Sequence, residues 1–110
     1  MFDMMKMMGK LKEAQERIKE TQEKLADMTV VGEAGAGMVK ATANGQKRLV
    51  SLEIDNDLIK PEDKDMLRDL IIAATNKALE EADNMAKEEL RKSTDGLIPN
   101  IPGMNLGGLF

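Results

Sequence analysis

The chain has 110 residues, enough for one domain, with a net charge of −4, ten methionines and only two aromatic residues, Phe2 and Phe110. It has no cysteine and no histidine, which excludes disulfides, thiolate nucleophiles and zinc–thiolate sites. The commonest general base and transition-metal ligand are missing as well. The opening Met1-Phe2-Asp3-Met4-Met5-Lys6 lacks the basic start and apolar run of a secretory signal. No stretch approaches the ~20 apolar residues of a bilayer span, so a cytoplasmic protein without a membrane partner is expected.

Residues 3–28 predict one long helix. Met4, Leu11, Ile18 and Leu25 share one heptad position, and Met7, Ala14, Thr21 and Met28 share the other. At 1.5 Å per residue such a helix spans ~39 Å, longer than a compact domain of this size can cover. Its overhanging apolar seam needs a partner, and the simplest is a second copy. Met4, Met7, Leu11, Ile18 and Leu25 are therefore the expected homodimer interface.

Thr29-Val30-Val31 is short and β-branched, and Gly32, Gly35 and Gly37 mark a turn or bulge after it. Residues 38–43 and 47–54 flank Asn44-Gly45, a two-residue hairpin signal in which both turn residues take positive φ. Val50, Leu52 and Ile54 form the apolar face of the second run. A three-stranded antiparallel sheet is the economical reading. After a connection at 56–61, Pro61 starts a second helix from about 62 to 92, with Glu62, Asp63 and Asp65 favouring its N-terminus. Its buried stripe is Met66, Leu67, Leu70, Ile71, Ala74, Ala78, Leu79, Ala82, Met85 and Leu90. The expected fold class is α+β, an α-β-β-β-α domain at 1–92. The tail, 93–110, is rich in Gly and Pro, expected to be flexible, yet apolar at Leu97, Ile98, Ile101, Met104, Leu106, Leu109 and Phe110.

No motif carries catalysis or a cofactor. Gly32-Glu33-Ala34-Gly35-Ala36-Gly37 lacks the spacing and the following Lys-Ser/Thr of a phosphate loop, and a structural turn is the better reading. The acids Glu53, Asp55, Asp57, Glu62, Asp63 and Asp65 do not match a calcium loop and suit a strand end, a turn and a helix start. No enzyme activity, cofactor, metal or small-molecule substrate is expected. The methionines Met1, Met4, Met5, Met7 and Met8 fit core or dimer packing first and an adaptable binding face second. A membrane-surface helix comes third, because no sustained basic face follows Leu11.

Charge placement is more informative. Lys10, Arg17 and Lys24 form one row beside the heptad seam and Lys12 and Lys19 another, while Met8, Gln15 and Gln22 leave the other flank uncharged. A parallel coiled coil offers the first row no acidic partners. Local pairing of Glu13 with Arg17 and Glu20 with Lys24 at i,i+4 is the alternative. Basic clusters stand at 1–12, at Lys47-Arg48 and at Lys87, Arg91 and Lys92, whereas the acids concentrate at 53–65. A dimer duplicates each cluster into a divided basic surface able to hold a duplex backbone without reading bases. With Phe2 and Phe110 the only aromatic side chains, stacking on single strands is disfavoured.

Met7-Met8-Gly9-Lys10-Leu11, Val31-Gly32-Glu33-Ala34-Gly35-Ala36-Gly37-Met38-Val39-Lys40, Asn44-Gly45 and Ser51-Leu52-Glu53-Ile54-Asp55 resemble the YbaB/EbfC family of bacterial nucleoid-associated proteins. So do the run from Leu67 to Ala78 and the closing segment from Gly96 to Phe110. The ordered set covers essentially the whole chain. The resemblance implies an α-β-β-β-α fold, a tweezer-shaped homodimer, a nucleoid location and binding of double-stranded DNA with limited sequence preference. Carried over helix by helix, the implied contacts are Lys6, Lys10, Lys12, Arg17 and Lys19 of the first helix and Lys87, Arg91 and Lys92 at the end of the last. The competing reading is a protein-interaction scaffold or chaperone-like adaptor that uses the Met-rich helix and the apolar tail.

Overall fold

The computed structural model describes residues 4–94. Helix α1 spans Met4–Leu25, strands β1, β2 and β3 span Thr29–Ala34, Val39–Asn44 and Leu49–Ile54, and helix α2 spans Lys64–Ser93. This is the expected α-β-β-β-α order. The tail expected at 93–110 lies outside the described residues, apart from Ser93, which closes α2, and Thr94, its C-cap. Among the described residues no helix is long and apolar enough to cross a membrane.

The sheet is antiparallel in the order β1-β2-β3. Side chains alternate between faces along a strand, so one face follows from β2, where Val39, Ala41 and Ala43 are fully buried. Their partners are Ala34, Gly32 and Val30 on β1 and Ile54, Leu52 and Leu49 on β3. Directly opposed residues share a face, so these positions form the side turned toward α2. A register shift between Thr42 and Ala43 makes Val50 the extra residue of a bulge. The apolar row of β3 is therefore Leu49, Leu52 and Ile54, not Val50, Leu52 and Ile54.

α2 meets this face with alanine at every fourth position. Ala74, Ala78 and Ala82 are fully buried, and Ala86 and Leu90 continue the line. Small side chains bring the helix axis close to the strands, and Gly32 completes the approach. It sits inside β1, not in the turn, and a Cβ there would fall on the backbone of Ala74 and Ala78. The turn itself is Gly35-Ala36-Gly37, with φ of 64°, 55° and 88°. Met66, expected in the buried stripe, is instead exposed.

The connection after β3 is more ordered than the sequence suggests. Asp55 accepts the N–H of Asp57 at 2.9 Å and caps a 3₁₀ turn, Asn56–Leu58, which places Leu58 in the core. Pro61 opens a second 3₁₀ turn, Pro61–Asp63, so α2 begins at Lys64 rather than near 62.

The hairpin between β2 and β3 also differs from expectation. Asn44-Gly45 does not form a two-residue loop with positive φ; the residue with positive φ is Lys47, at 63°. The Lys47 N–H donates to the Asn44 carbonyl at 2.9 Å, and the Asn44 N–H donates to the Arg48 carbonyl at 2.9 Å. The Asn44 side-chain oxygen accepts from the N–H groups of Gln46 and Arg48. This is a three-residue loop with a left-handed last residue. Gly45 is needed for proximity, not for φ: a Cβ there would lie 2.7–2.9 Å from Leu25. Its N–H donates to the carbonyls of Leu25 and Met28, which helps end α1 three residues short of the expected 28.

Both helices leave the sheet at this hairpin. Gln46 Nε2 donates to the Gln22 carbonyl at 3.0 Å, Lys47 pairs with Asp83 at 2.7 Å, and Lys24 meets Glu89 at 3.7 Å. From here α1 runs back to its N-terminus while α2 runs on to its C-terminus, so the two are antiparallel. A 30-residue α2 is ~45 Å long, yet the molecule extends 73 Å. α1 supplies the difference as an arm: residues 4–13 are all exposed, and burial begins at Ala14 and continues at Thr21 and Leu25. The radius of gyration, 19.5 Å, exceeds the ~13 Å of a compact chain of this size accordingly.

Candidate nucleic-acid interface

α1 carries six Lys or Arg against four Glu, although the whole chain is net negative. The excess lies on the arm. Lys10, Lys12 and Lys19 are exposed and make no ion pair among the described residues, and Lys6 is exposed close by. Arg17 is held at 3.3 Å by Glu13, the i,i+4 pair the sequence suggests. Lys24 pairs across to α2 with Glu89 rather than with Glu20.

At the far end of α2, Arg91 is clasped by Glu88 through two hydrogen bonds of 2.7 and 3.2 Å, and the Arg91 guanidinium holds the Glu88 carboxyl below its ordinary range. Lys92 is exposed and makes no ion pair among the described residues. Lys87 shares Asp83 with Lys47, at 2.9 and 2.7 Å. These three side chains line an open cleft of about 300 Å³ between α1, the hairpin and α2, floored by Leu25, Gly45, Ala86 and Leu90. The cations expected to meet DNA thus differ by helix: most on the arm face solvent, and those on α2 are mostly engaged with carboxylates.

The Asp83 clasp was only half legible. Its i,i+4 spacing to Lys87 stands in the sequence, but Lys47 reaches it only through the fold. Hydrogen bonds from Lys47, then from Lys87, lower the Asp83 pKa below the ordinary 3.8, against a smaller opposing effect of desolvation. A carboxyl depressed by folding contributes stability above its unfolded pKa and loses it as pH falls through the folded value. Asp83→Asn should therefore flatten the loss of thermal stability on acidification below pH 3.8 relative to the parent, as read by calorimetry across the acid range. An unchanged acid limb would show that the clasp contributes nothing.

The expected dimer residues divide into two groups. Leu25 is 3% exposed inside the chain and Ile18 is half-buried, whereas Met4, Met7 and Leu11 stand open to solvent. A second apolar surface went unread in the sequence. β3 is an edge strand, and Leu49 and Val50 are 45% and 53% exposed. α2 covers β1 and β2 and leaves this ledge bare. The strand's alternation was visible, but which strand the helix would leave uncovered was not.

Among the described residues no group of Asp and Glu stands where it could hold a metal ion. The comparisons agree with the fold. A nucleoid-associated protein of Thermoanaerobacter pseudethanolicus is 47% identical over 103 residues, covering 94% of this chain and 91% of that protein. One from Geobacillus is 49% identical over 80 residues, covering 73% of this chain and 72% of that protein. The crystal structure of an uncharacterized Helicobacter pylori protein superposes with a TM-score of 0.70 at 27% identity, covering 80% of this chain and 92% of that one. The sequence model of the YbaB/EbfC DNA-binding family matches residues 1–97, and the chain belongs to that family.

Proposed function

We propose that this protein binds double-stranded DNA as a homodimer, through the phosphate backbone and with little base readout, and acts in the bacterial nucleoid on its organisation or on gene expression. The observation that carries the reading is the separation of charge along an elongated molecule. α1 presents Lys6, Lys10 and Lys12 on the arm and Lys19 further along the same helix, whereas Glu53, Asp55, Asp57, Glu62, Asp63 and Asp65 cluster around the start of α2, at the opposite end of a 73 Å molecule. At physiological ionic strength charges are screened over ~8–10 Å, so a phosphate at the arm does not feel those acids. The net charge of −4 is then no obstacle. Arg17, Lys87 and Arg91 add to the surface when phosphate oxygens replace their carboxylate partners.

Gel-shift titration between ~50 and 200 mM salt tests the mechanism. Affinity should fall steeply and alike for unrelated duplexes. A flat dependence rejects phosphate-driven binding.

The dimer is supported by the ledge on β3. An exposed, apolar edge strand is a template for a second strand. Among the described residues the core of one chain is thin, with Leu58 and Val39 the largest fully buried side chains. Pairing of β3 with a second copy would join the sheets and cover Leu49, Val50 and Leu52. Val50→Lys together with Leu52→Glu should convert the protein to monomers in sedimentation equilibrium. A doubly substituted chain that stays dimeric moves the interface elsewhere, with the seam at Met4, Met7 and Leu11 as the remaining surface.

A further inference from the structure

We propose that the bare apolar stripe on the arm of α1 is the docking site for this chain's own C-terminal segment, residues 97–110. The stripe is the N-terminal half of a single seam. Its C-terminal half is buried at Ala14, Thr21 and Leu25, where α2 runs antiparallel alongside. Its N-terminal half, Met4, Met7, Met8 and Leu11, is 48–67% exposed. Helical spacing places these four within one narrow face, which is what an opposing chain covers.

The position and direction of α2 select the occupant. α2 travels toward the N-terminus of α1 and ends at the buried Thr94, whose hydroxyl donates to the Leu90 carbonyl at 3.0 Å. Thr94, the C-cap of α2, lies at the end of α2 that runs toward the arm, and 16 residues follow it in the sequence. The stripe from Ala14 to Met4 is ~15 Å long. Sixteen residues reach that far even as a helix, and up to ~50 Å when extended.

Composition points the same way. The segment from Leu97 to Phe110 holds seven large apolar side chains and no charged one; the only charged side chain in the last 16 residues is Asp95. It can cover methionines without setting acidic side chains against Lys6, Lys10 and Lys12, so the arm keeps its charge for another partner. Methionine suits the purpose, because its flexible thioether packs against irregular sequences such as this one.

Methionine oxidation reads the contact directly. In dilute peroxide, Met4, Met7 and Met8 should oxidise several-fold faster in a chain ending at Asp95 than in the full chain, by mass spectrometry. Met5, 85% exposed and off the stripe, supplies the reference rate within each molecule. Full-length Leu106→Asp with Leu109→Asp should reproduce the effect and guards against a truncated chain that folds poorly. The absence of native cysteine allows a second readout. Met8→Cys with Leu106→Cys should form a disulfide under mild oxidation, within one chain on a non-reducing gel. Equal oxidation rates with and without the segment overturn the proposal. So does protection that survives truncation but disappears on dilution, which assigns the stripe to a second copy. A disulfide found only between chains overturns the assignment to the same chain.

Discussion

Replacing Gly32 by alanine should lower the thermal midpoint by roughly 10–20 °C, and replacing it by valine should abolish folding. The added Cβ would fall on the backbone nitrogen of Ala78 and 2.5 Å from the carbonyl oxygen of Ala74. Neither atom belongs to a side chain that could rotate away. α2 would have to lift from the sheet, and with it the packing that buries Ala74, Ala78 and Ala82 against Val39, Ala41 and Ala43. Overpacking in a core costs ~1–3 kcal/mol when side chains can adjust, and this site lies at or above the upper end. A small domain has only ~5–15 kcal/mol to lose. Gly9 is the control, because nothing stands within 4 Å of a Cβ there. Gly9→Ala should raise the helicity of the arm, as alanine exceeds glycine in an exposed helix by roughly 0.5–1 kcal/mol. A Gly32→Ala midpoint within a few degrees of the parent would mean that the helix does not sit tight against β1.

What the sequence made legible followed from repetition. The heptads of α1, the apolar run of β3 and the apolar stripe of α2 are periodic, and each element appears in the expected order, although a bulge at Val50 breaks the alternation of β3 and α1 ends at Leu25. What it hid depended on contacts between elements. Gly32 and Gly45 read as turn formers because glycine permits positive φ, yet both are there because another backbone or side chain comes too near for a Cβ. Heptad spacing put Leu25 on the dimer seam but could not show that the chain's own hairpin comes up against it at Gly45. The arm's basic residues were legible as a cluster. That Lys10, Lys12 and Lys19 make no ion pair among the described residues, while Lys87 and Arg91 are clasped, required the fold, since Asp83 gathers lysines from two distant segments.

That distinction gives the largest functional effect expected. Charge reversal at Lys10, Lys12 and Lys19 together should weaken DNA binding about a thousand-fold at low salt, equally for every duplex sequence. In a dimer the triple variant removes six cations that displace condensed counterions. The slope of log affinity against log salt falls by ~0.9 for each phosphate that is no longer neutralised, so it should flatten by about five. The fold should be unaffected, because all three side chains are exposed and outside the core, where substitutions change stability by about 0.5 kcal/mol or less. Reversing Lys64 and Arg68, at the acidic end of the molecule, applies a comparable charge change many screening lengths from the arm and should leave affinity within about twofold. Freeing a clasped cation should act in the opposite direction. Glu13→Gln releases Arg17 from its 3.3 Å pair and should tighten binding and steepen the salt slope by up to one phosphate per chain. If the triple reversal and the distal double reversal weaken binding alike, net charge alone governs the affinity and the arm has no special role.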